Sequence, residues 1–192
     1  MHMVILIIGL VLFLGAHSVR MLAPHWRERK IESIGKNAWQ VIYSVASLGS
    51  LAIVIYGYAY ARSDAPVIYI TPDWMPHLAF LLMAISFVSM MVGNLPPGRL
   101  KPILKHPMLL AVIIWAFTHL LVNGDLASII LFGSLLAWSI WNRISVGQRK
   151  EAPPQPGSVI YDLAAIVSGL VIWALFIWKV HEWLIGVPLV IA

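Results

Sequence analysis

Two histidines stand inside apolar runs of this 192-residue chain: His17 in GAHSVR and His119 in IIWAFTHLLVNGD. An ionisable side chain within a bilayer-length apolar stretch costs roughly 3 kcal/mol on insertion scales, so each needs a partner or a ligand. Neutral imidazoles from two helices are suitable axial ligands for haem iron, and the core of a helical bundle is a usual place for such a cofactor. Gly15, Ala16 and Ser18 around His17 would admit a neighbouring helix or a flat ligand. His119 follows Trp115 by one helical turn and lies 12 residues beyond Pro107, about 18 Å along a helix. For both histidines the residue types leave two readings open, axial ligand or hydrogen-bonder between helices.

The other ionisable groups have simpler expectations. His106 precedes Pro107, which suits a first helical turn where its missing N–H costs nothing; beside Lys105, His106 reads equally as a hydrated boundary anchor or a functional group. In Asn123-Gly124-Asp125, glycine at a helix C′ position and aspartate as the next N-cap predict a sharp turn between two helices. His77 and His181 lie near Asp73, Trp74, Glu182 and Trp183, where aromatic-belt anchoring competes with a second metal or haem site. His2 and His25 are terminal or loop residues. With no cysteine, thiolate clusters, covalent haem attachment, disulfides and cysteine nucleophiles are excluded. No phosphate loop, nucleotide fingerprint or nucleophile motif is visible.

The elements that must position these residues are membrane helices. Hydrophobic residues make up 60% of the chain, charged ones 11%, and the mean hydropathy is +0.86. Continuous runs such as VILIIGLVLFLG predict α-helices rather than the alternating strands of a barrel. The expected class is an all-α, polytopic transmembrane bundle with about six segments: Val4–Leu22, Ala38–Ala61, Met75–Val92, Met108–Val122, Leu126–Ile140 and Val159–Leu184. The fourth and fifth, at 15 residues each, read as short spans or a re-entrant hairpin. Their loops carry eleven of the 13 Lys and Arg residues on one side, leaving Arg62 and Lys179 on the other, which by the positive-inside rule places both termini outside. The net charge of +5 therefore reports orientation and not a nucleic-acid partner. The first run lacks the positive n-region of a signal peptide and is read as a retained helix. Glu151–Ser158 is the one linker-like stretch, within a single domain without evident repeats.

The motifs AHSVR at Ala16–Arg20, the long stretch at Lys105–Trp138 and HEWLIGVPL at His181–Leu189 resemble the NnrU family of bacterial membrane proteins over nearly the whole chain. That resemblance implies a bacterial inner-membrane protein associated with nitrite and nitric oxide reduction. The family is in turn similar to 15-cis-zeta-carotene isomerase, a membrane enzyme that uses haem b. Its motifs match His17-Ser18 and the Trp115…His119 pair, which implies His17 and His119 as axial ligands, with Ser18, Trp115 and His106 beside the cofactor. The isomerase has a cysteine one turn before the second histidine, where this chain has Ala116, so a redox ligand switch is not expected. Isoprenylcysteine methyltransferases share the HP motif, but the acidic residues with which they bind S-adenosylmethionine have no counterpart in NRISVGQRK at Asn142–Lys150.

Two functions follow as expectations. One is a haem b protein acting in redox, nitrogen-oxide metabolism or isomerisation of a hydrophobic small molecule, with the lipid bilayer and a membrane redox or reductase partner around it. The other is a non-catalytic scaffold or maturation factor for nitrite and nitric oxide reductases.

Overall fold

The computed structural model describes residues 1–149 and 154–189. In chain order the helices are α1 (His2–Leu22), α2 (Pro24–Ile34), α3 (Lys36–Asp64), α4 (Met75–Asn94), α5 (Leu100–Leu104), α6 (Pro107–Val122), α7 (Leu126–Gln148) and α8 (Val159–Leu175), followed by a π-helical turn at Phe176–Val180 and α9 (His181–Ile185). Every expected apolar segment is helical. Five helices among the described residues are long and apolar enough to cross a membrane, and the protein is a multi-pass, all-helical membrane protein. The apolar helix α6, with 16 residues, is shorter.

The fifth segment differs from its expectation. α7 runs for 23 residues, eight past Ile140, because Trp141, Asn142, Arg143 and their successors continue the helix after strict apolarity ends. Asparagine and arginine end an apolar run without ending a helix, since neither removes a backbone donor as proline does. Of the linker Glu151–Ser158, residues 151–153 lie outside the described residues and Pro154–Ser158 is non-helical.

Close contacts divide the chain into two units, Met1–Thr71 with His119–Gln148, and Pro72–Thr118 with Arg149–Ala192. In the first, α1 and α3 run antiparallel and meet backbone to backbone. A Cβ on Gly9 would lie 2.8 Å from the Val54 nitrogen, and one on Gly57 would lie 2.5 Å from the Leu6 nitrogen. Small residues let membrane helices gain dispersion contact that lipid would otherwise supply. The expected packing at Gly15 does not occur: nothing lies within 4 Å of a Cβ there. The helix periodicity that puts Gly9 on the α3-facing side carries Gly15 away from it.

In the second unit α4 packs on α8 in the same manner, a Cβ on Gly169 falling 2.7 Å from the Val88 Cα. The Trp173 Nε1–H donates to Phe80 O at 2.9 Å, and Ser86 Oγ–H donates to Ala111 O at 2.8 Å. The buried Asp162 carboxylate accepts the Arg99 and Leu100 backbone N–H groups at 2.8 and 3.1 Å, tying the start of α5 to α8. Lys101 Nζ closes the end of α4 through Gly93 O and Leu95 O at 2.8 and 2.7 Å.

Candidate functional site

His17 lies a turn and a half from the end of α1, in a cluster made of its own helix, α3 and α7. Its ring centroid is 4.2 Å from that of Phe13, 5.5 Å from Tyr43 and 6.0 Å from Trp138, the last edge-on at 89°. His17 Nδ1 stands 2.7 Å from Phe13 O. A carbonyl only accepts, so this contact assigns the proton to Nδ1 and leaves the lone pair on Nε2. That is the tautomer a metal-ligating histidine adopts when its second nitrogen is anchored to backbone.

Ser18, next along α1, is buried and faces α7. The Trp138 Nε1–H donates to Ser18 Oγ at 3.0 Å, while the Ser18 hydroxyl donates to Leu14 O at 2.7 Å. One turn above this pair the same faces of α1 and α7 part into a cleft of about 260 Å³, lined by Ile7, Leu10, Val11, Leu14, Ile130 and Ser134. Its lining is aliphatic apart from Ser134, whose hydroxyl is committed to Ile130 O at 2.6 Å.

His119 belongs to another cluster of the same unit. Its ring stacks on Phe132 with centroids 4.6 Å apart at 29°, and Phe132 meets Tyr58 edge-on at 6.1 Å. Below them runs a directed hydrogen-bond chain. Ser128 Oγ–H donates to Asp125 Oδ2 at 2.5 Å, so Tyr58 O–H is the donor to Ser128 Oγ at 2.9 Å. Asp125 Oδ1 also accepts the Ser128 N–H at 2.9 Å, the expected N-cap of α7.

The NGD turn is built differently from its expected form at one position. Gly124 stands at the expected C′ position of α6, but positive φ is confined to Gly35 and Gly186 among the described glycines, so it does not close the helix in the left-handed form. Its carbonyl accepts the Ile68 and Tyr69 N–H groups at 2.7 and 3.3 Å, and any Cβ would strike the Tyr69 carbonyl. The glycine is required for this close approach. The Tyr69 hydroxyl donates to Leu120 O and Asn123 O, and burial together with the nearby Asp125 charge raises its pKa above the ordinary tyrosine value.

His17 and His119 thus share a unit without sharing a cluster. Trp138, beside His17, is six residues beyond Phe132, beside His119, which is about 9 Å along α7. The donor chemistry of His17, with Nδ1 anchored to backbone, fits a haem-holding histidine. Trp115 and His106 lie in the second unit, half-buried, Trp115 midway along α6 and His106 just ahead of Pro107, which occupies the first turn of α6 as expected.

His77 is exposed, and His181 is anchored through Nδ1 to Val187 O at 2.8 Å, while Glu182 pairs with Lys179 at 2.7 Å. Among the described residues no three His, Cys, Asp or Glu side chains are grouped to hold a metal ion. The residues that sequence reasoning missed are Tyr43, Tyr58, Ser128, Phe132 and Trp138. Ser128 and Phe132 recur at i and i+4 on α7, a spacing that marks a shared face but does not name its partner.

No curated protein and no solved structure matches the chain. The family model described as NnrU protein matches residues 5–189, nearly its whole length. The chain therefore belongs to the NnrU family.

Proposed function

We propose that this NnrU protein is a haem b protein of the bacterial inner membrane, both termini periplasmic, with His17 as the first axial ligand. The observation that carries the reading is the His17 tautomer, Nδ1 anchored to Phe13 O and Nε2 left with its lone pair inside an apolar span. Haem bound there would supply one-electron redox chemistry or a site for a small ligand such as a nitrogen oxide. The chain's own part is positioning. The Trp138–Ser18 hydrogen bond fixes the α7 wall beside His17, and an aliphatic cleft between α1 and α7 lies one turn away. His119, with Trp115 a turn before it, is the second residue that would hold the group.

Isomerisation of a hydrophobic substrate draws less support, since Ala116, at the cysteine position of the isomerase, is fully buried and offers no thiolate. The test is an absorbance spectrum of detergent-purified protein expressed with ample haem, oxidised and dithionite-reduced. Wild type should show a sharp Soret band with resolved α and β bands, and His17→Ala should lose it. His119→Ala should keep haem but turn high-spin if both histidines ligate. A band unchanged in His17→Ala overturns the assignment.

One observation favours the scaffold reading, in which the protein supports maturation of nitrite or nitric oxide reductases. His17, Trp138 and His119 all make ring contacts between segments of the first unit, as a purely structural role requires. A featureless wild-type spectrum that haem titration leaves featureless selects this reading.

A further inference from the structure

We infer that the helix α2 is an anionic-phospholipid site, a headgroup clamp built from Trp26, Arg27 and Lys30 at the membrane surface. The argument begins with connectivity. α1 ends at Leu22 and α3 begins at Lys36, both are membrane spans, and α2 is joined to each by one residue, Ala23 and Gly35. Joints this short leave an 11-residue helix, about 16 Å long, no route away from the leaflet in which the two spans end. The Gly35 joint has φ +83°, a conformation that L side chains rarely adopt, so the sharp return into α3 depends on glycine.

Helical spacing then sorts the side chains of PHWRERKIESI. Trp26, Arg27, Lys30, Ile31 and Ile34 recur at intervals of three and four on one face. His25, Glu28, Arg29 and Glu32 fall on the opposite face, where His25 Nδ1 and Glu28 Oε2 are 3.6 Å apart. Net charge thus differs across the helix: Arg27 and Lys30 lie with the aromatic and aliphatic residues and no carboxylate, while both carboxylates lie on the face away from them, against Arg29. Trp26 packs edge-on against Trp39 of α3 at 5.9 Å, and the Arg27 guanidinium lies over the Trp39 ring at 5.9 Å. These contacts turn the basic and apolar face toward the start of a membrane span. Trp26 and Ile34 keep 44% and 42% of their surface exposed and Lys30 is exposed, although apolar surface of this kind is normally covered.

A face that is apolar and cationic together, held at headgroup depth, matches one occupant in both respects: a phospholipid with an anionic headgroup and acyl chains. A zwitterionic lipid matches only the apolar part, and free phosphate only the charge. The opposite face, where Glu28 and Glu32 outnumber Arg29, carries no net positive charge, so the cationic excess is confined to the face that also carries the aromatic and aliphatic residues.

The test titrates phosphatidylglycerol or phosphatidylcholine into the detergent-solubilised full chain and counts bound lipid by native mass spectrometry, with thermal unfolding in parallel. Wild type should retain phosphatidylglycerol preferentially and gain thermal stability from it. Two charges beside an anionic surface correspond to about a 30-fold change in affinity, so R27Q/K30Q should lose most of the preference. R27K/K30R, which keeps the charges, should retain it, and so should E28Q/E32Q. R99Q/K105Q removes equal charge from the second unit and should change little. Equal retention of both lipids by wild type, equal losses in R27Q/K30Q and R99Q/K105Q, or the same stabilisation from inorganic phosphate alone would each overturn the site.

Discussion

The two units solve one physical problem twice and diverge in what they bury. Each brings two long antiparallel helices together through glycine, Gly9 and Gly57 in the first and Gly169 in the second, because lipid and leucine are equally apolar and only close approach adds attraction. The second unit buries a carboxylate, Asp162, and directs both of its oxygens to backbone N–H groups of Arg99 and Leu100. The first holds a half-buried histidine of which one ring nitrogen is anchored to Phe13 O and the other keeps its lone pair. An ionisable residue in a membrane span is therefore a functional candidate only after its hydrogen bonds are accounted for. Both oxygens of Asp162 are committed to backbone, whereas His17 commits only Nδ1.

The largest effect should come from filling the glycine contacts that the units share. Gly57→Ala and Gly169→Ala each force a Cβ into the backbone of the facing helix, with a cost of about 3 kcal/mol at the upper end of overpacking. Gly15→Ala, facing open space, should be neutral or slightly stabilising. Thermal or denaturant unfolding in detergent measures all three, and equal costs would show that the close approaches carry no special weight.

The difference between the units is sharpened by a crossed pair. Asp162→Ala leaves two amides without their acceptor and should cost about 3 kcal/mol without changing any haem spectrum. Asp162→Asn, keeping one acceptor oxygen, should cost less. His17→Ala should do the reverse, removing the spectrum while the fold loses little, since its one described hydrogen bond is to its own helix. A large stability loss in His17→Ala would place His17 with Asp162 among the structural groups. The smallest effect is expected from Trp138→Phe, which keeps an aromatic ring near His17 and loses the N–H bond to Ser18, about 1 kcal/mol, with a shifted Soret band reporting the altered neighbour.

What could be read along the chain was local. The six helical segments followed from uninterrupted apolarity, Pro107 in the first turn of α6 from the absence of a donor, and the Asp125 cap of α7 from an acceptor placed before an apolar run. Each of these is decided within a few residues, so the sequence by itself determined the membrane class, the helices and the punctuation at their ends. It also identified His17 and His119 as costly groups needing partners.

Which partners they have was decided only by tertiary packing. Trp138 reaches Ser18 across 120 residues and Tyr58 reaches Ser128 across 70, and no local periodicity chooses among the many aromatic and hydroxyl groups of such a chain. The same holds for Gly9, Gly57 and Gly169, indistinguishable from Gly15 until a facing helix is present, and for Asp162, whose acceptor oxygens meet amides 62 and 63 residues away. A span fixes its own helix through backbone hydrogen bonds, whereas its neighbours are chosen by shape, and shape exists only once the helices have met.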